Sequence, residues 1–577
     1  MNGEVIEIDK VFLSRRRVAR DKIALNFLRI VSFFALFLLF PGTSHAVTKG
    51  EFAARLFGEL GYQAARDPSL PPDVPKGHNY AKQIGSAVRY GLLPGENFMP
   101  DTEIDRHGAV RMSLAMMGWE FEASLYESLN SLPDMAGSGD SIFFLAAEMN
   151  PPAPSALLLD GMVPLSDSGA ASLLNWVRNC RKSVSWNRVI PFGGAEFIVY
   201  RQGVARPGEP NAPGEGNPVG APGNEPLYVA AIGVHMTGVD MRIAFAASLG
   251  LEKAKLSEFA EAYEPISAIN GGFFAEARPL GSMLFEGNPA GKPIEGRSAL
   301  GWNNDDGTFA FGPGFAMIGV RTPGGFVMFD RFNVAPQMNE ASFYPAGVMG
   351  AAAGTALDAI ELAIKNGRVL EKREGAWGNH FLPDGGSLIV ARGNSRALLE
   401  KFKAGDKINV TSDWEANVFR SCGNLIQAGP MLIYGGQMTA DSETFKSDIT
   451  DKRHPRTIVG SDGDRLIWAV IDGRSSLHSR GTTMEETRWV ARALGLSTAI
   501  NMDGGGSSEL IWRGIVANMP SDGKERPLPY AVLMMPKGAA MARKTFMQAP
   551  DSYADFAPAV NGPGEEVPYM DTYNPYE

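Results

Sequence analysis

The sequence predicts an α+β fold in two parts: a small helical N-terminal module, and a larger domain in which helices pack on a mixed, largely antiparallel sheet. Between residues 48 and 118, apolar residues recur at helical intervals in three segments. From Val189 onward, short apolar runs of strand length alternate with turn residues. Because 577 residues suffice for two or more domains, we place the module at 47–125 and the larger domain at 185–536.

The N-terminus has the pattern of a secretory signal. Five arginines between residues 15 and 29 precede the apolar run Ile30 to Phe40, and small residues surround position 46, where a signal peptidase would cut. We therefore predict a signal peptide at 1–46 and a secreted or cell-envelope-associated protein, in the periplasm or at the cell surface. The apolar run is too short for a comfortable membrane span, so no stable span is expected after cleavage. An uncleaved anchor that also uses residues 23–27 is the alternative.

The N-terminal module contains an internal repeat. One helical pattern opens at Thr48 and a second at Asp105, 57 residues later. These patterns, with the helical stretch Tyr80 to Leu93 between them, resemble an S-layer homology module, a family whose members anchor to cell-wall polysaccharide. The resemblance implies such a polysaccharide as a partner. The alternative is a helical domain that packs on the larger domain.

Three further segments connect or interrupt these parts. Residues 126–184 form a connecting region with an amphipathic helical pattern from Ala170 to Arg181. Proline and glycine are dense in 203–226, which predicts an insertion into the larger domain, either a solvated loop or a lid. Residues 537–577 are Pro-rich, acidic and without periodicity, as in a disordered tail.

Composition argues against several classes of function. The formal charge is −10, and loss of 1–46, which holds seven basic and four acidic residues, would make it −13, so no nucleic acid is expected as a partner. The seven histidines are dispersed without a metal-ligand motif, and we predict neither a metal nor a cofactor. Calcium stays open as an alternative, because its oxygen ligands leave few marks in a sequence. The two cysteines, Cys180 and Cys422, either pair after export or remain thiols. Neither a Walker loop nor a Gly-x-Ser-x-Gly elbow is present.

The segment 454–512 carries polar residues at the ends of predicted strands. Leu466 to Ile471 is an apolar run of strand length, and Asp472 follows it directly. A helix is predicted after Thr483, because Thr483 and Glu486 have the spacing of a capping box. A second extended run follows that helix, so the pattern predicts a polar site where two strands end.

Three glycines, Gly504, Gly505 and Gly506, lie between Asp503 and Ser507 at the end of that second run. Such a run costs conformational entropy, so we expect a backbone with positive φ or a close approach there. Its amides would then be able to face an anion. A tight hairpin with an incidental aspartate is the alternative.

Several motifs, in order along the chain, resemble those of the phosphodiester glycosidase family. Residues 501–508 resemble the family's Asn-Leu-Asp-Gly-Gly-Gly-Ser-Ser signature, and 270–274 resemble its Asn-Gly-Gly-Phe-Phe block. The remaining motifs lie at 382–386, 428–432, 454–457, 471–474, Asn518 and 525–527. The resemblance covers roughly residues 185–536. It implies an enzyme that hydrolyses the anomeric C–O bond of a sugar 1-phosphodiester and releases a sugar and a phosphomonoester, on cell-envelope or extracellular glycans.

The implied reaction needs carboxylates near the anomeric carbon, because its transition state resembles an oxocarbenium ion. Asp472 and Asp503 are the catalytic candidates, and the sequence does not distinguish their roles. The phosphate needs donors that hold its charge. Arg456 and Arg474 fit this role, since a planar guanidinium pairs with two phosphate oxygens at once.

Substrate contacts are also predicted around the glycine run. Asn270 and Gly271, the glycines 504–506 and Ser507 are expected to orient the sugar, with an Asx turn as the alternative for Asn270. Arg526 either contacts the substrate or pairs with an acidic group. The sequence offers no way to choose between those two roles.

Two further catalytic candidates have structural alternatives. His478 has a pKa near neutrality and is either a general acid or base or an exposed loop residue. Glu486 is either catalytic or completes the capping box.

Two other functions remain open for the whole chain: a phosphodiesterase that cleaves the P–O bond, and a non-catalytic protein that binds cell-envelope glycans.

Overall fold

The structure is a computed structural model that describes residues 45–135, 140–205, 225–246, 252–275, 277–346, 351–352, 357–375, 380–381, 385–440, 443 and 445–539. Nearly all of the predicted signal peptide, Pro/Gly-rich insertion and tail lies outside these residues, as do positions 382–384 of one predicted turn motif. The architecture below refers to the described residues.

The helices lie mainly in the N-terminal part of the chain. They are α1 Lys49–Glu59, α2 Ala81–Arg89, α3 Arg106–Met116, α4 Glu120–Asn130, α5 Ser141–Glu148, α6 Asp167–Lys182, α7 Leu256–Tyr263, α8 Gly393–Leu399, α9 Ser447–Thr450 and α10 Met484–Ala493. Side chains cap the helices that the repeat predicts: Thr48 accepts from the Glu51 amide, and Asp105 accepts from the Gly108 amide at 2.7 Å. The predicted N-terminal helices are confirmed.

The strands begin after α6. They are β1 Ser185–Phe192, β2 Ala195–Gln202, β3 Leu227–Val234, β4 Val239–Phe245, β5 Ser267–Asn270, β6 Phe274–Ala275, β7 Arg278–Pro279, β8 Met283–Phe285, β9 Asn288–Gly291, β10 Ser298–Trp302, β11 Phe309–Pro313, β12 Ala316–Thr322, β13 Gly325–Met328, β14 Arg331–Phe332, β15 Ala341–Tyr344, β16 Ala351–Ala352, β17 Ile360–Lys365, β18 Arg368–Glu374, β19 His380–Phe381, β20 Ser387–Ala391, β21 Val410–Trp414, β22 Asn424–Gln427, β23 Met431–Tyr434, β24 Gln437–Met438, β25 Arg456–Ser461, β26 Leu466–Ile471, β27 Thr498–Asn501, β28 Leu510–Trp512, β29 Ile515–Val516 and β30 Tyr530–Pro536. The predicted strand over 466–471 is confirmed residue for residue as β26.

The largest sheet has eight strands in the order β1-β2-β3-β26-β25-β27-β23-β24. Its central pairs are antiparallel, with Arg456 opposite Ile471 and Ile458 opposite Asn501. This register brings the start of β25 and the ends of β26 and β27 to one edge, because antiparallel neighbours alternate in direction. The predicted α+β class, with mostly antiparallel sheets and helices in the N-terminal region, is confirmed.

A second sheet has the strand order β29-β28-β5-β30-β4. Its strand β28 follows the glycine run in the chain. Leu510 pairs with Ile269, and Asn270 pairs with Ala531. β5, which ends at Asn270, therefore lies between β28, which follows the glycine run, and β30, which follows the loop of Arg526. A further group of strands between β8 and β22 has its own apolar core, which includes Phe343, Leu362 and Ile389.

The N-terminal helices share a hydrophobic core with the sheets. A single cluster of buried residues in the described chain includes Phe52, Leu114 and Trp176 from the helices, and Trp468 and Val532 from the strands. No break in this core marks residue 125, and the domain boundaries remain predictions. No helix among the described residues combines the length and the apolar character that crossing a membrane requires.

Candidate active site

Backbone segments approach one another closely where β25, β26 and β27 meet. A Cβ at Gly473 would lie 2.6 Å from the Pro455 nitrogen, and one at Gly504 would lie 2.9 Å from the Pro455 oxygen. The Gly505 amide donates to the same oxygen at 2.9 Å. Glycine is therefore required at these contacts because a side chain would collide with backbone. The predicted close approach is found.

The glycine run forms a turn that ends in a 3-10 helix over Gly505–Ser507. Gly505 has φ +62°, the left-handed conformation that favours glycine. The Gly504 amide donates to Oδ1 of Asp503 at 3.0 Å. Two of the three glycine amides thus bond within the protein, to Asp503 and Pro455, so in this conformation they are engaged before any anion arrives.

Asp503 is a partly exposed residue at the start of this turn. Desolvation by the surrounding protein raises its pKa to about 6, against the opposing effects of a hydrogen bond from Ser507, the charge of Arg526 and the Gly504 amide. A carboxyl with such a pKa exchanges its proton near neutral pH, as a general acid or base must.

Two arginines lie over the turn and share one carboxylate. Arg526 donates to Oδ2 of Asp522 through Nε at 3.0 Å and Nη2 at 2.7 Å, and Arg474 donates to Oδ1 at 3.3 Å. Both arginine side chains are 40% exposed. A Cβ at Gly506 would lie 2.1 Å from both the Arg526 guanidinium and the Asp522 carboxylate, so the absence of a side chain there makes room for the pair. Arg474 and Arg526 thus place two cations around Asp522 at the mouth of the turn, and the Arg526 charge also acts on Asp503.

Arg456 has a different environment from Arg474. It is 3% exposed, and its guanidinium donates to the carbonyls of Thr482 at 3.0 Å, Ile449 at 2.6 Å and Lys452 at 3.0 Å. These bonds fasten the loop before β25 to the chain that leads into α10. A phosphate contact through Arg456 would require some of them to exchange, and that role remains a prediction.

Asn270 is 1% exposed, and its amide bonds to the protein on both ends. Nδ2 donates to the Asp503 carbonyl at 2.8 Å, while Oδ1 accepts from Thr457 at 2.8 Å and from the Glu509 amide at 3.2 Å. The Gly271 carbonyl accepts from the Asp503 amide at 3.3 Å. Both residues therefore hold the backbone of Asp503, and a direct contact with sugar remains a prediction.

Asp472 is the buried counterpart of Asp503, with 1% of its surface exposed. Oδ1 accepts from Asn518 at 2.8 Å, and Oδ2 lies 2.7 Å from the Met519 nitrogen and 2.8 Å from Nε2 of His478. Both oxygens are thus occupied by groups of the protein. Asp472 is thus placed to hold Asn518, Met519 and His478 in position.

His478 is buried, which differs from the exposed-loop alternative. Its Nδ1 lies 3.1 Å from Glu122 on α4, while Nε2 faces Asp472. Burial alone would lower the pKa of His478, but the carboxylates of Glu122 and Asp472 outweigh it and raise this pKa. The imidazole is therefore held between two carboxylates from distant parts of the chain.

Hydrogen bonds connect the two aspartates through the interior. Asn518, which bonds Asp472, also donates to the Ser508 carbonyl at 3.1 Å. The Ser508 hydroxyl lies 3.1 Å from that of Thr457, and Thr457 donates to Asn270, which in turn holds Asp503. The loops after β26 and β27 thus form one polar unit.

Glu486 completes the capping box of α10. Its carboxylate accepts from the Thr483 amide at 2.9 Å, and the Glu486 amide donates to the Thr483 hydroxyl at 3.1 Å. Arg453 also bonds both of its oxygens, at 3.0 and 2.6 Å. These contacts give Glu486 the structural role that the sequence offered as an alternative, and its catalytic role remains a prediction.

The structure also brings acidic residues to the site that the sequence did not single out. Besides Asp522, Glu509 is 1% exposed, and burial with the nearby Glu525 carboxylate raises its pKa to about 9. Glu525 accepts from the amide and hydroxyl of Ser257 at 2.8 and 2.6 Å. In the sequence, Glu509 directly follows the motif at 501–508 and Glu525 belongs to the motif at 525–527, whereas Asp522 lies outside the motifs.

A cavity of about 720 Å³ lies between the N-terminal helices and the site loops. Its lining is mostly apolar and includes Met112 and Phe121 from the helices, and Leu477, His478 and Met519 from the loops. A volume of this order accommodates a small organic molecule. Within the described residues, no group of three or more His, Cys, Asp or Glu side chains is arranged to hold a metal.

Comparison with protein families gives the site its context. Residues 358–535 match the phosphodiester glycosidase family model. The matched segment contains the loops of both aspartates and Arg474 and Arg526, whereas Asn270 and the N-terminal helices precede it. The match indicates a hydrolase that acts on sugar phosphodiesters. The resemblance of residues 47–125 to an S-layer homology module remains a prediction.

A solved structure shares its fold with about three fifths of this chain, 61%. A protein from Burkholderia pseudomallei K96243, described as exported, aligns at 18% identity and TM-score 0.50 over 61% of this chain and 96% of its own. A hypothetical protein from Synechocystis aligns at 19% and 0.46, over 61% and 77%. The zebrafish N-acetylglucosamine-1-phosphodiester alpha-N-acetylglucosaminidase catalytic domain, auto-inhibited by its pro-peptide, aligns at 14% and 0.31, over 61% and 88%. The first shows a common fold, and the weaker two add nothing to it. No curated protein matches the chain significantly.

Proposed function

We propose that the protein hydrolyses the anomeric C–O bond of a sugar 1-phosphodiester and releases a sugar and a phosphomonoester. The observation that carries this proposal is one juxtaposition. Asp503, a partly exposed residue whose carboxyl has a pKa of about 6, opens a glycine turn over which two half-exposed arginines lie. The match of 358–535 to the phosphodiester glycosidase family supports it.

The arginines provide the phosphate contacts. Arg474 and Arg526 exchange their bonds to Asp522 for bonds to the phosphodiester oxygens, since guanidinium groups pair with phosphate in the same geometry as with carboxylate. The charge that the departing phosphomonoester gains then develops next to two fixed cations. Asp522 holds the pair in place while the site is empty and also screens it.

Asp503 acts on the sugar. In its ionised form it either takes a proton from the attacking water or stabilises the positive charge at the anomeric carbon. The water oxygen bonds to that carbon, the C–O bond to phosphate breaks, and the phosphate oxygen leaves with the electron pair. The buried Asp472 supports this chemistry indirectly, because groups of the protein already occupy both of its oxygens.

A cavity near the site and the residue pattern of the N-terminus also support this function. The cavity beside Met519 lies next to the segment that carries Asp522, and it offers room for the group esterified to the far side of the phosphate. The residue pattern of 1–46 supports export, which would give access to cell-envelope or extracellular glycans. A wall polysaccharide as partner of the N-terminal module remains a further proposal.

The test is proton and phosphorus NMR of the protein with N-acetylglucosamine 1-phosphodiesters in ¹⁸O-labelled water. We expect free sugar that carries the label and an unlabelled phosphomonoester, with turnover strongly reduced in Asp503→Asn. Label in the phosphate would instead mean P–O cleavage and a phosphodiesterase. Binding of these diesters without turnover, unchanged in Asp503→Asn, would mean a glycan-binding protein.

A further inference from the structure

A row of four buried charges joins the N-terminal helices to the proposed site. Arg201 on β2 lies 2.7 Å from Glu122 on α4, Glu122 lies 3.1 Å from His478, and His478 lies 2.8 Å from Asp472. The side chains of Arg201 and Glu122 are 0% exposed. Charge alternates along the row when His478 is protonated, so each member stabilises its neighbours.

Backbone contacts fix the start of α4 at this place. Gly118, in the turn before α4, has φ +81°, and a Cβ there would lie 2.3 Å from the Leu477 carbonyl. Arg201 donates to the carbonyls of both Gly118 and Leu477 at 3.3 Å. The Ala205 amide donates to the Met117 carbonyl at 2.8 Å. These contacts fix the position of α4 relative to both β2 and the loop that carries His478.

A purely structural interface would have little reason to bury these charges. Removing charged groups from water is costly, and apolar residues of similar volume often stabilise a protein equally well. The surrounding core already supplies such residues, among them Trp119 and Leu125. The polar row is therefore better explained by its far end, which is a carboxylate of the candidate active site.

We propose that Glu122 is a positioning residue for the reaction, which holds His478 against Asp472 and thereby fixes the loops that carry the phosphate-binding arginines. Asp472 binds the Met519 amide and Asn518, and Arg474 lies two residues after it. This inference rests on the proposed function. It makes the helical N-terminal part a component of the catalytic unit.

The test uses the full chain with three substitutions. Glu122→Gln removes the charge at constant size, and Glu122→Asp keeps the charge. Glu127→Gln on the same helix is the matched control, because Glu127 pairs with Arg111 at 3.3 Å on the helix surface. We expect Glu122→Gln to lower kcat about tenfold to a hundredfold with little change in KM, the range that orienting partners contribute elsewhere. Glu122→Asp should recover part of the loss, and Glu127→Gln should match the parent.

A second readout follows His478 itself, by nitrogen-15 NMR of histidine-labelled protein assigned with His478→Gln. The titratable and charged groups that face the imidazole are Glu122, Asp472, Tyr228, whose ring lies 4.8 Å away, and, behind Glu122, Arg201. Loss of one adjacent carboxylate should let His478 lose its proton at lower pH in Glu122→Gln and not in Glu127→Gln. An unchanged titration, or a shifted titration with full kcat, would overturn the positioning role.

Further measurements distinguish a folding defect of Glu122→Gln, and a failure of the proposed function, from a failure of the positioning role. If Glu122→Gln fails to fold because Arg201 remains charged and buried, Glu122→Gln with Arg201→Met removes both charges and should fold with the same low kcat. Full activity of that double variant would also overturn the proposal. If the parent hydrolyses no sugar phosphodiester, the proposed function fails, and with it the positioning role of Glu122 in the reaction. The NMR titration still shows whether Glu122 controls the His478 proton.

Discussion

Asp472 and Asp503 follow strands of the same sheet and end at the same edge, yet their surroundings differ in almost every respect. Asp472 is buried, and three groups of the protein occupy its oxygens. Asp503 is partly exposed, with its pKa raised to about 6. The loops around each residue, and not its position at a strand end, thus decide whether an aspartate is enclosed by groups of the protein or partly exposed.

The largest effect should come from Asp503→Asn. This change keeps the size of the side chain but removes the charge and the proton-accepting oxygen, so we expect turnover to fall by about a thousandfold, within the range of lost acid–base catalysis. Initial rates of sugar release measure it. Because ionisation of Asp503 is unfavourable in the folded state, the variant should be at least as stable as the parent above pH 6. Residual activity within tenfold of the parent would contradict the role.

Asp472→Asn should lower stability as well as turnover, because Asp472 holds the loops of the site. It leaves His478 and Glu122 without part of a buried charged network, and we expect the free energy of unfolding to fall by about 3 kcal/mol, as when one partner of a buried pair is removed. Urea unfolding measures this loss. Asp413→Asn is the control, since Asp413 and Arg420 form an exposed pair, and it should change stability by about 0.5 kcal/mol or less. Equal stability of both variants would show that the buried network contributes little.

Gly506→Ala tests the contact between the turn and the arginine pair. The new methyl group would collide with Arg526 and Asp522 and displace them, so we expect kcat/KM to fall about tenfold with a loss of stability near 1 kcal/mol. Gly423→Ala is the control, because nothing lies within 4 Å of a Cβ there. Parent-like kcat/KM in Gly506→Ala would mean that the placement of this pair is unimportant.

Replacement by lysine should have different effects at Arg474 and Arg456, the two arginines that the sequence predicts to bind phosphate. Arg474→Lys loses a planar pair of donors at an exposed site, so we expect KM to rise a few-fold, roughly 1 kcal/mol of binding, with stability unchanged. Arg456→Lys loses donors to buried carbonyls, so we expect stability to fall by about 1–3 kcal/mol. Steady-state kinetics and thermal unfolding of both variants decide. A raised KM in Arg456→Lys at full stability would restore the phosphate role of Arg456.

Local patterns in the sequence predicted the elements of the site. An apolar run gave β26, the Thr483 and Glu486 spacing gave a capped helix, and three glycines gave a turn with close backbone contacts. Each of these features is encoded by residues near one another in the chain. They are therefore readable without the fold.

The partners of the site residues were not readable in this way. Glu122 reaches His478 from α4, and Asp522 accepts a hydrogen bond from Arg474 of a separate loop. Such contacts depend on the packing of distant segments, and neither residue belongs to a local motif. For the same reason the sequence did not show that Asp472 is enclosed or that Arg456 bonds to backbone.

The most direct test of the account is the pH dependence of kcat/KM for a sugar 1-phosphodiester, in the parent and in Arg526→Gln. The diester itself does not titrate in this range, so any inflection belongs to the protein. We predict that kcat/KM rises as Asp503 loses its proton near pH 6, and that the inflection moves to higher pH in Arg526→Gln, because the Arg526 charge lowers the pKa of Asp503. A profile that is flat from about pH 4.5 to 8 in the parent, or an inflection that Arg526→Gln leaves in place, would contradict the assignment of Asp503 as the reacting carboxyl.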